Sequence, residues 1–166
     1  MRKLSVFNSV SIDGYYTDPN NDYSFAHTGA DDPELAAFTK SNAQGKNALV
    51  FGRVTYDAMV AWWPTPAAAK AMPEVTKGMN EAPKFVFSRT MTRADWQHTT
   101  LLAGPPGEEL AKLKASPGPD LTILGSGQIV AQAAAAGVLD EIQLMIVPMI
   151  LGAGKSQFSG VTQKPW

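Results

Sequence analysis

Apolar positions along this chain gather in short blocks that read as strands, separated by stretches with helical spacing or by turn residues. Lys3 to Val10 alternates apolar and polar positions and is rich in strand formers, which predicts a first strand. Ser11-Ile12-Asp13-Gly14 then supplies turn chemistry. From Tyr15 to Asp32 the chain turns to Asp, Asn, Gly, Pro and Thr without a period, so long a stretch that it predicts a functional loop. Asp31 and Asp32 precede Pro33 and Glu34, and Leu35, Phe38 and Ala43 share a face. That pattern predicts a capped helix with proline at its first position, stopped by Gly45. Ala48 to Phe51 predicts a strand, Gly52-Arg53 a tight connection, and Thr55 to Trp62 a helix. Ala61 to Asn80 carries Trp62, Trp63 and three prolines, which predicts an irregular excursion with one short helical piece, forming a cleft wall.

The second half repeats the alternation. Lys84 to Phe87 predicts a strand ending at Ser88-Arg89-Thr90, and Thr99 to Leu102 another. Pro106 to Lys114 is helical, with acids in its first turn and lysines in its last, as the helix dipole favours. Leu121 to Leu124 has the composition of a buried strand. Gly125-Ser126-Gly127-Gln128 leads from it into a helix over Ile129 to Ala136, stopped by Gly137. Glu141 to Val147 is the last clear strand. Short apolar strands alternating with helices predict a mostly parallel sheet covered on both faces, a three-layer α/β/α arrangement.

Length and charge narrow the classes. The 166 residues suit one domain spanning 1–166, large enough to bury a real core. Fourteen basic and 15 acidic side chains, net charge -1, leave no electrostatic footprint for nucleic acid. The absence of cysteine removes disulfides, thiolate metal sites and cysteine nucleophiles together. Asn8, Ser9 and Ser11 interrupt any signal-peptide core. The longest apolar run, Leu144 to Leu151, is far short of the roughly 20 residues that span a bilayer. A soluble, cytoplasmic protein without membrane or nucleic-acid partners is expected.

Three predicted strand ends carry groups suited to an anion: Gly52-Arg53-Val54-Thr55, Ser88-Arg89-Thr90 and Gly125-Ser126-Gly127-Gln128. Parallel strands would bring them together at one sheet edge. At the first and third a helix begins at once, offering open N–H groups and a positive dipole end to a phosphate. Arg89 is placed to take an additional phosphate. Gly125 and Gly127 make only part of a dinucleotide fingerprint, since Val130 stands where the third glycine belongs, so a standard Rossmann domain is disfavoured. Gly152-Ala153-Gly154-Lys155-Ser156 ends like a P-loop, but Met149 replaces its first glycine and no helix is expected after it; a phosphoryl-transfer enzyme ranks last. For proton chemistry the candidates are Asp13, Asp31, Asp32 and Glu34, beside His27 and Tyr15, with plainer readings of Asp13 as a turn residue, Asp31 or Asp32 as a helix cap and Glu34 as a dipole-compensating glutamate. His27 and His98 lack ligand-spaced partners, and no metal site is expected.

Five segments together resemble the dihydrofolate reductase family in the broad sense, in its bacterial branch related to the reductase domain of riboflavin biosynthesis (the RibD C-terminal domain). They are Phe7 to Gly14, Phe51 to Tyr56, Lys84 to Thr90, Leu124 to Val130, and Asp140-Glu141-Ile142 through Pro148 to Gly154. The resemblance implies a central mixed, mostly parallel sheet and an NADPH-dependent reductase. It assigns Gly52, Arg53 and Thr55 to phosphates, Ser88 and Arg89 to the 2'-phosphate end, and Gly125, Ser126, Gly127, Gln128 and Ile129 to the pyrophosphate. Val10 flanks the nicotinamide, and Asn8, Ile12, Asp13 and Gly14 fall near the substrate. Glu34 stands where true dihydrofolate reductases carry their substrate-binding acid. The long loop lacks their Pro-Trp element, which argues against folate. The resemblance further implies a homodimer, and a chain ending before the last family strand. The expected reaction is hydride transfer to a C=O or C=N bond of a small heterocyclic, ribosylamino-pyrimidine or pterin-like substrate. The rival is a non-catalytic NADP(H)-binding regulatory or structural dimer.

Overall fold

The computed structural model describes residues 1–28 and 32–162. Asp31, one of the two residues expected to cap the first helix, lies outside the described residues. In chain order the elements are β1 (Leu4–Ser11), β2 (Tyr15–Thr17), a 3-10 turn (Ser24–His27), α1 (Pro33–Gln44), β3 (Ala48–Gly52), α2 (Arg53–Trp62), α3 (Pro66–Ala71) and α4 (Pro73–Glu81). Then follow β4 (Lys84–Phe87), β5 (Thr99–Leu102), α5 (Pro106–Ala115), β6 (Leu121–Leu124), α6 (Gly127–Ala135), β7 (Glu141–Val147) and β8 (Lys155–Ser156).

Six strands form the central sheet in the order β5-β4-β3-β6-β1-β7, and every neighbouring pair is parallel. The expected mixture of directions is therefore absent from this sheet among the described residues. Antiparallel pairing is confined to a separate ribbon of β2 and β8. The sequence showed neither ribbon strand, because strands of two or three residues have no period to display.

Two cores flank the sheet. Along β3, Ala48 and Val50 face one side and Leu49 and Phe51 the other, and all four are buried. A strand covered on both faces needs a continuous apolar run, which is what Ala48 to Phe51 shows. On one face Leu4, Val6, Leu121 and Ile123 pack against Leu110 of α5 and Ile129, Val130 and Ala133 of α6. On the other, Phe51 and Val86 pack with Tyr56 of α2, Val75 and Met79 of α4, and Trp96. The three-layer expectation holds.

The segment 61–80 differs from its expectation. Pro66 and Pro73 do not break helices; each opens one, occupying a first-turn position whose missing N–H has no intrahelical partner to lose. Two short helices therefore replace the irregular excursion. The α1 helix is capped by Asp32, whose carboxylate accepts from the Glu34 and Leu35 N–H groups. At the end of α6, Gly137 takes φ +67°. Its N–H donates to the Ala134 carbonyl and that of Val138 to Ala133, the left-handed glycine stop expected there.

Topology positions the site. From β3 the chain passes through α2, α3 and α4 to β4 on one side. From β6 it passes through α6 to β7 on the other. Since β3 and β6 are neighbours, their carboxyl ends bound a crevice where the connections diverge, the place where open α/β sheets collect ligands.

Candidate cofactor and substrate site

Parallel alignment puts the carboxyl ends of β4, β3, β6 and β1 in one row, adjacent strands being about 4.8 Å apart. Hydrogen bonds join the row into one unit. Gly125 (φ +60°) and Ser126 (φ 57°, ψ 55°) turn the chain left-handedly from β6 into α6. A left-handed serine costs about 1 kcal/mol, and its hydroxyl restrains it. That hydroxyl accepts the Gly52 N–H at 2.6 Å and hydrogen-bonds the Thr55 hydroxyl at 2.9 Å. The close approach requires glycine: a Cβ on Gly125 would lie 2.9 Å from Thr55 Oγ1. Thr55 and Ser126 thus brace the two glycine corners against each other.

On the other flank Asn8, buried at 5 % exposure, spans the Gly125 peptide. Its Oδ1 accepts the Gly125 N–H at 2.5 Å and its Nδ2 donates to the Gly125 carbonyl at 3.1 Å. The resemblance placed Asn8 near the substrate. In the structure both ends of its amide are committed to the glycine loop.

The β4 corner is tied in by Arg53, which donates to Thr90 Oγ1 at 3.2 Å and pairs with Asp57 at 2.8 Å. Ser88 Oγ accepts the Thr90 and Met91 N–H groups, so it shapes this turn. Arg89 is exposed and makes no ion pair among the described residues. At the start of α6, the Ile129 N–H returns to the Ser126 carbonyl at 2.8 Å and the Ile129 side chain lies in the core. Gly127 and Gln128 therefore carry the donors that no backbone carbonyl takes; of the pyrophosphate residues expected, Ile129 is the one turned inward. The α2 helix begins directly after β3 and α6 follows β6 after two intervening residues, each starting two residues earlier than the sequence predicted.

Beyond β1, Ser11 to Gly14 forms the expected turn, Gly14 (φ +87°) donating its N–H to the Ser11 carbonyl. Asp13 accepts the Leu151 N–H at 3.1 Å and the Gly152 N–H at 2.8 Å. A hydrogen bond from the Ser11 side chain, and then these N–H donors, hold its carboxyl below the usual range. These bonds make Asp13 a brace for the loop at 149–152. Ile12 is exposed, and Val10 is buried beside Ile146 of β7. Glu34, in the first turn of α1, is exposed. Because α1 runs back toward the start of β3, its first turn lies at the same sheet edge as the row of corners.

Among the described residues no cluster of three His, Asp or Glu is placed to hold a metal. No helix among them is long and apolar enough to cross a membrane. Lys155, of the P-loop-like string, belongs to β8 and bonds Asn21. No helix follows it among the described residues.

Comparison with known proteins agrees with this architecture. The chain is 28% identical over 163 residues to the uncharacterized protein YyaP of Bacillus subtilis (strain 168), covering 98% of this chain and 84% of that one. A structure from Shewanella sp. PV-4, provisionally named a riboflavin biosynthesis protein, superposes with a TM-score of 0.68 at 23% identity, covering 98% of this chain and 86% of that one. The diaminohydroxyphosphoribosylaminopyrimidine deaminase/5-amino-6-(5-phosphoribosylamino)uracil reductase of Thermotoga maritima gives 0.62 at 14% identity, covering 98% of this chain, which spans about half (49%) of that longer one. Dihydrofolate reductase of Schistosoma mansoni gives 0.53 at 16%, covering 90% and 81% of the two chains. These likenesses establish the fold. The profile of the RibD C-terminal domain family matches residues 2–165, and this chain belongs to that family.

Proposed function

We propose that this protein is a reductase that transfers hydride from NADPH to a C=O or C=N bond of a small heterocyclic substrate, of the ribosylamino-pyrimidine or pterin-like kind. The observation that carries the reading is the hydrogen-bonded row of glycine corners at the point where the sheet connections diverge. Gly52, Gly125 and Gly127 leave no side chains of their own between two helix N-termini, and Arg53 and Arg89 stand at the β4 end. That fits a molecule with a pyrophosphate in the middle and a further phosphate at one end. The family and the reductase names among its structural neighbours point the same way.

NADPH supplies the hydride, so the chain has to bind, orient, exclude water and provide a proton. The Gly127 and Gln128 N–H groups and the α6 dipole would hold the pyrophosphate. Arg53 would take a neighbouring phosphate and Arg89 the 2'-phosphate. Val10, Ile12 and Gly14 would flank the substrate and the reacting carbon, with Asn8 and Asp13 fixing the loops around them. Proton delivery falls to Glu34, Asp13 or an ordered water in this reading.

Titration with NADPH and NADH, followed by tryptophan quenching, tests the binding part. NADPH should bind more tightly than NADH, and Arg89→Ala should weaken NADPH by about 10- to 100-fold, the loss of one charge-assisted contact, while leaving NADH nearly unchanged. Equal affinities for the two dinucleotides would refute the assignment of Arg89. Substrate-dependent loss of NADPH absorbance at 340 nm tests turnover. Glu34→Gln should lower turnover about 10²-fold with NADPH affinity intact; full turnover in that variant would remove Glu34 from the chemistry. NADPH binding without turnover on any pyrimidine or pterin would favour the non-catalytic dimer instead.

A further inference from the structure

Tyr16 sits on the glycine loop. Built on Gly127, a Cβ would lie 2.4 Å from Tyr16 Cε1, 2.5 Å from Cζ and 2.7 Å from the phenolic oxygen, so the ring covers the first residue of α6 directly. The Gly127 N–H lies near enough to that oxygen to favour its ionised form. Burial under this contact pushes the phenol above its usual pKa, the N–H opposing it. The ring reaches this position through an irregularity in the ribbon. Tyr15 pairs with Ser156 and Thr17 with Lys155, so two steps along β2 oppose one along β8 and Tyr16 falls in the bulge between them. Bulges of this kind re-aim a side chain.

We infer that Tyr16 is a latch on the phosphate cradle: in the free protein its phenolic oxygen occupies the Gly127 N–H, and the ring must swing away for a dinucleotide phosphate to take that donor. The inference rests on the cofactor reading above and adds to it a competitor within the chain. A neutral phenol is a weaker acceptor than a phosphate, which gains both a charge-assisted bond and the α6 dipole. The exchange therefore runs toward the ligand. Until then the latch keeps a buried donor satisfied. The ribbon that carries Tyr16 is a two-stranded appendage, separate from the six-stranded sheet, with little stability of its own. It can shift while the braces among Asn8, Gly52, Thr55 and Ser126 stay in place. The latch scales the apparent affinity by the fraction of molecules that are unlatched.

Tyr16→Phe in the full chain keeps the ring and removes the oxygen. Hydrogen exchange of the Gly127 amide, read by NMR without any ligand, should accelerate about five- to tenfold. NADPH affinity should tighten about fivefold. In the wild-type protein, saturating NADPH should abolish the proximity between the Tyr16 ring and Gly127; this second readout does not depend on the variant folding. Unchanged or weakened NADPH affinity in Tyr16→Phe, or a Tyr16 ring still seated on Gly127 in the NADPH complex, would overturn the latch while leaving the cofactor reading intact. Failure of both proteins to bind NADPH would overturn the cofactor reading and the latch together.

Discussion

Asn8 shows how a single side chain shapes the site through the backbone it holds. It lies in the inward register of β1 with Leu4, Val6 and Val10, all of them buried, and it is the only polar member of that set. A polar group at such a position is tolerated when its bonds are made, and here both go to one peptide. Truncation in Asn8→Ala would strand the Gly125 N–H and carbonyl, with a stability loss of about 2–4 kcal/mol. Urea unfolding checks this, and a loss under 1 kcal/mol would show that the loop holds its shape without the amide. The polar break in the strand was visible in the sequence. Its partner was not, because Gly125 is 117 residues away along the chain.

Among the elements, the junction of α4, β4 and β5 is held by an unusual group. Lys84 has no exposed surface. Its Nζ donates to the carbonyls of Asn80 (3.0 Å), Ala82 (2.8 Å) and Gln97 (3.2 Å) and lies 4.4 Å from the centre of the Trp96 ring. The ammonium thus closes the C-terminal end of α4, where a positive charge complements the dipole. No carboxylate joins these partners, and burial pulls the pKa from 10.5 to about 8. Below about 8 the lysine is protonated in both folded and unfolded chains. Between about 8 and 10.5 the unfolded chain binds the extra proton, so this group's contribution to stability rises with pH and is lost again as pH falls through 8. The gap in unfolding free energy between wild type and Lys84→Met should widen by about 1–3 kcal/mol from pH 7.5 to 10.5. A gap that is flat with pH would mean that Lys84 titrates normally. In the sequence Lys84 reads as the first residue of a strand and nothing more, since a buried lysine depends on carbonyls supplied from outside its own strand.

At the scale of the whole molecule, the β7 margin of the sheet is apolar and open. Leu144, Ile146, Met149 and Ile150 are exposed there, Ile146 at 58 % and Ile150 at 72 %. The strand is at the sheet edge. Exposed apolar surface along a sheet margin invites association, and we propose that a second copy of the chain covers it. Light scattering at micromolar concentration should give twice the chain mass of 17.7 kDa, and Ile146→Asp should lower it toward the monomer. A wild-type monomer would contradict the proposal.

What the sequence by itself determined is the succession of the six sheet strands and of α1, α2, α5 and α6, since burial on both sheet faces demands apolar runs and most of these helix starts bear a local mark. Asp32, Pro33, Pro106 and Gly137 are such marks, and each signals a boundary within a few residues of itself. Two of the three anion-suited corners, at Gly52 and at Gly125 to Gly127, were legible for the same reason: glycine at a strand-to-helix turn is a local requirement. Local information also misled where a proline can either break or open a helix, as at Pro66 and Pro73. Only the tertiary structure decided that Asn8, Gly52, Thr55, Gly125 and Ser126 interlock, that Asp13 is a brace, that Lys84 is enclosed, and that Tyr16 covers Gly127. Each of these is a contact between residues far apart in the chain, and the sheet order that brings them together is set by how two apolar faces are buried at once, which no window of sequence contains.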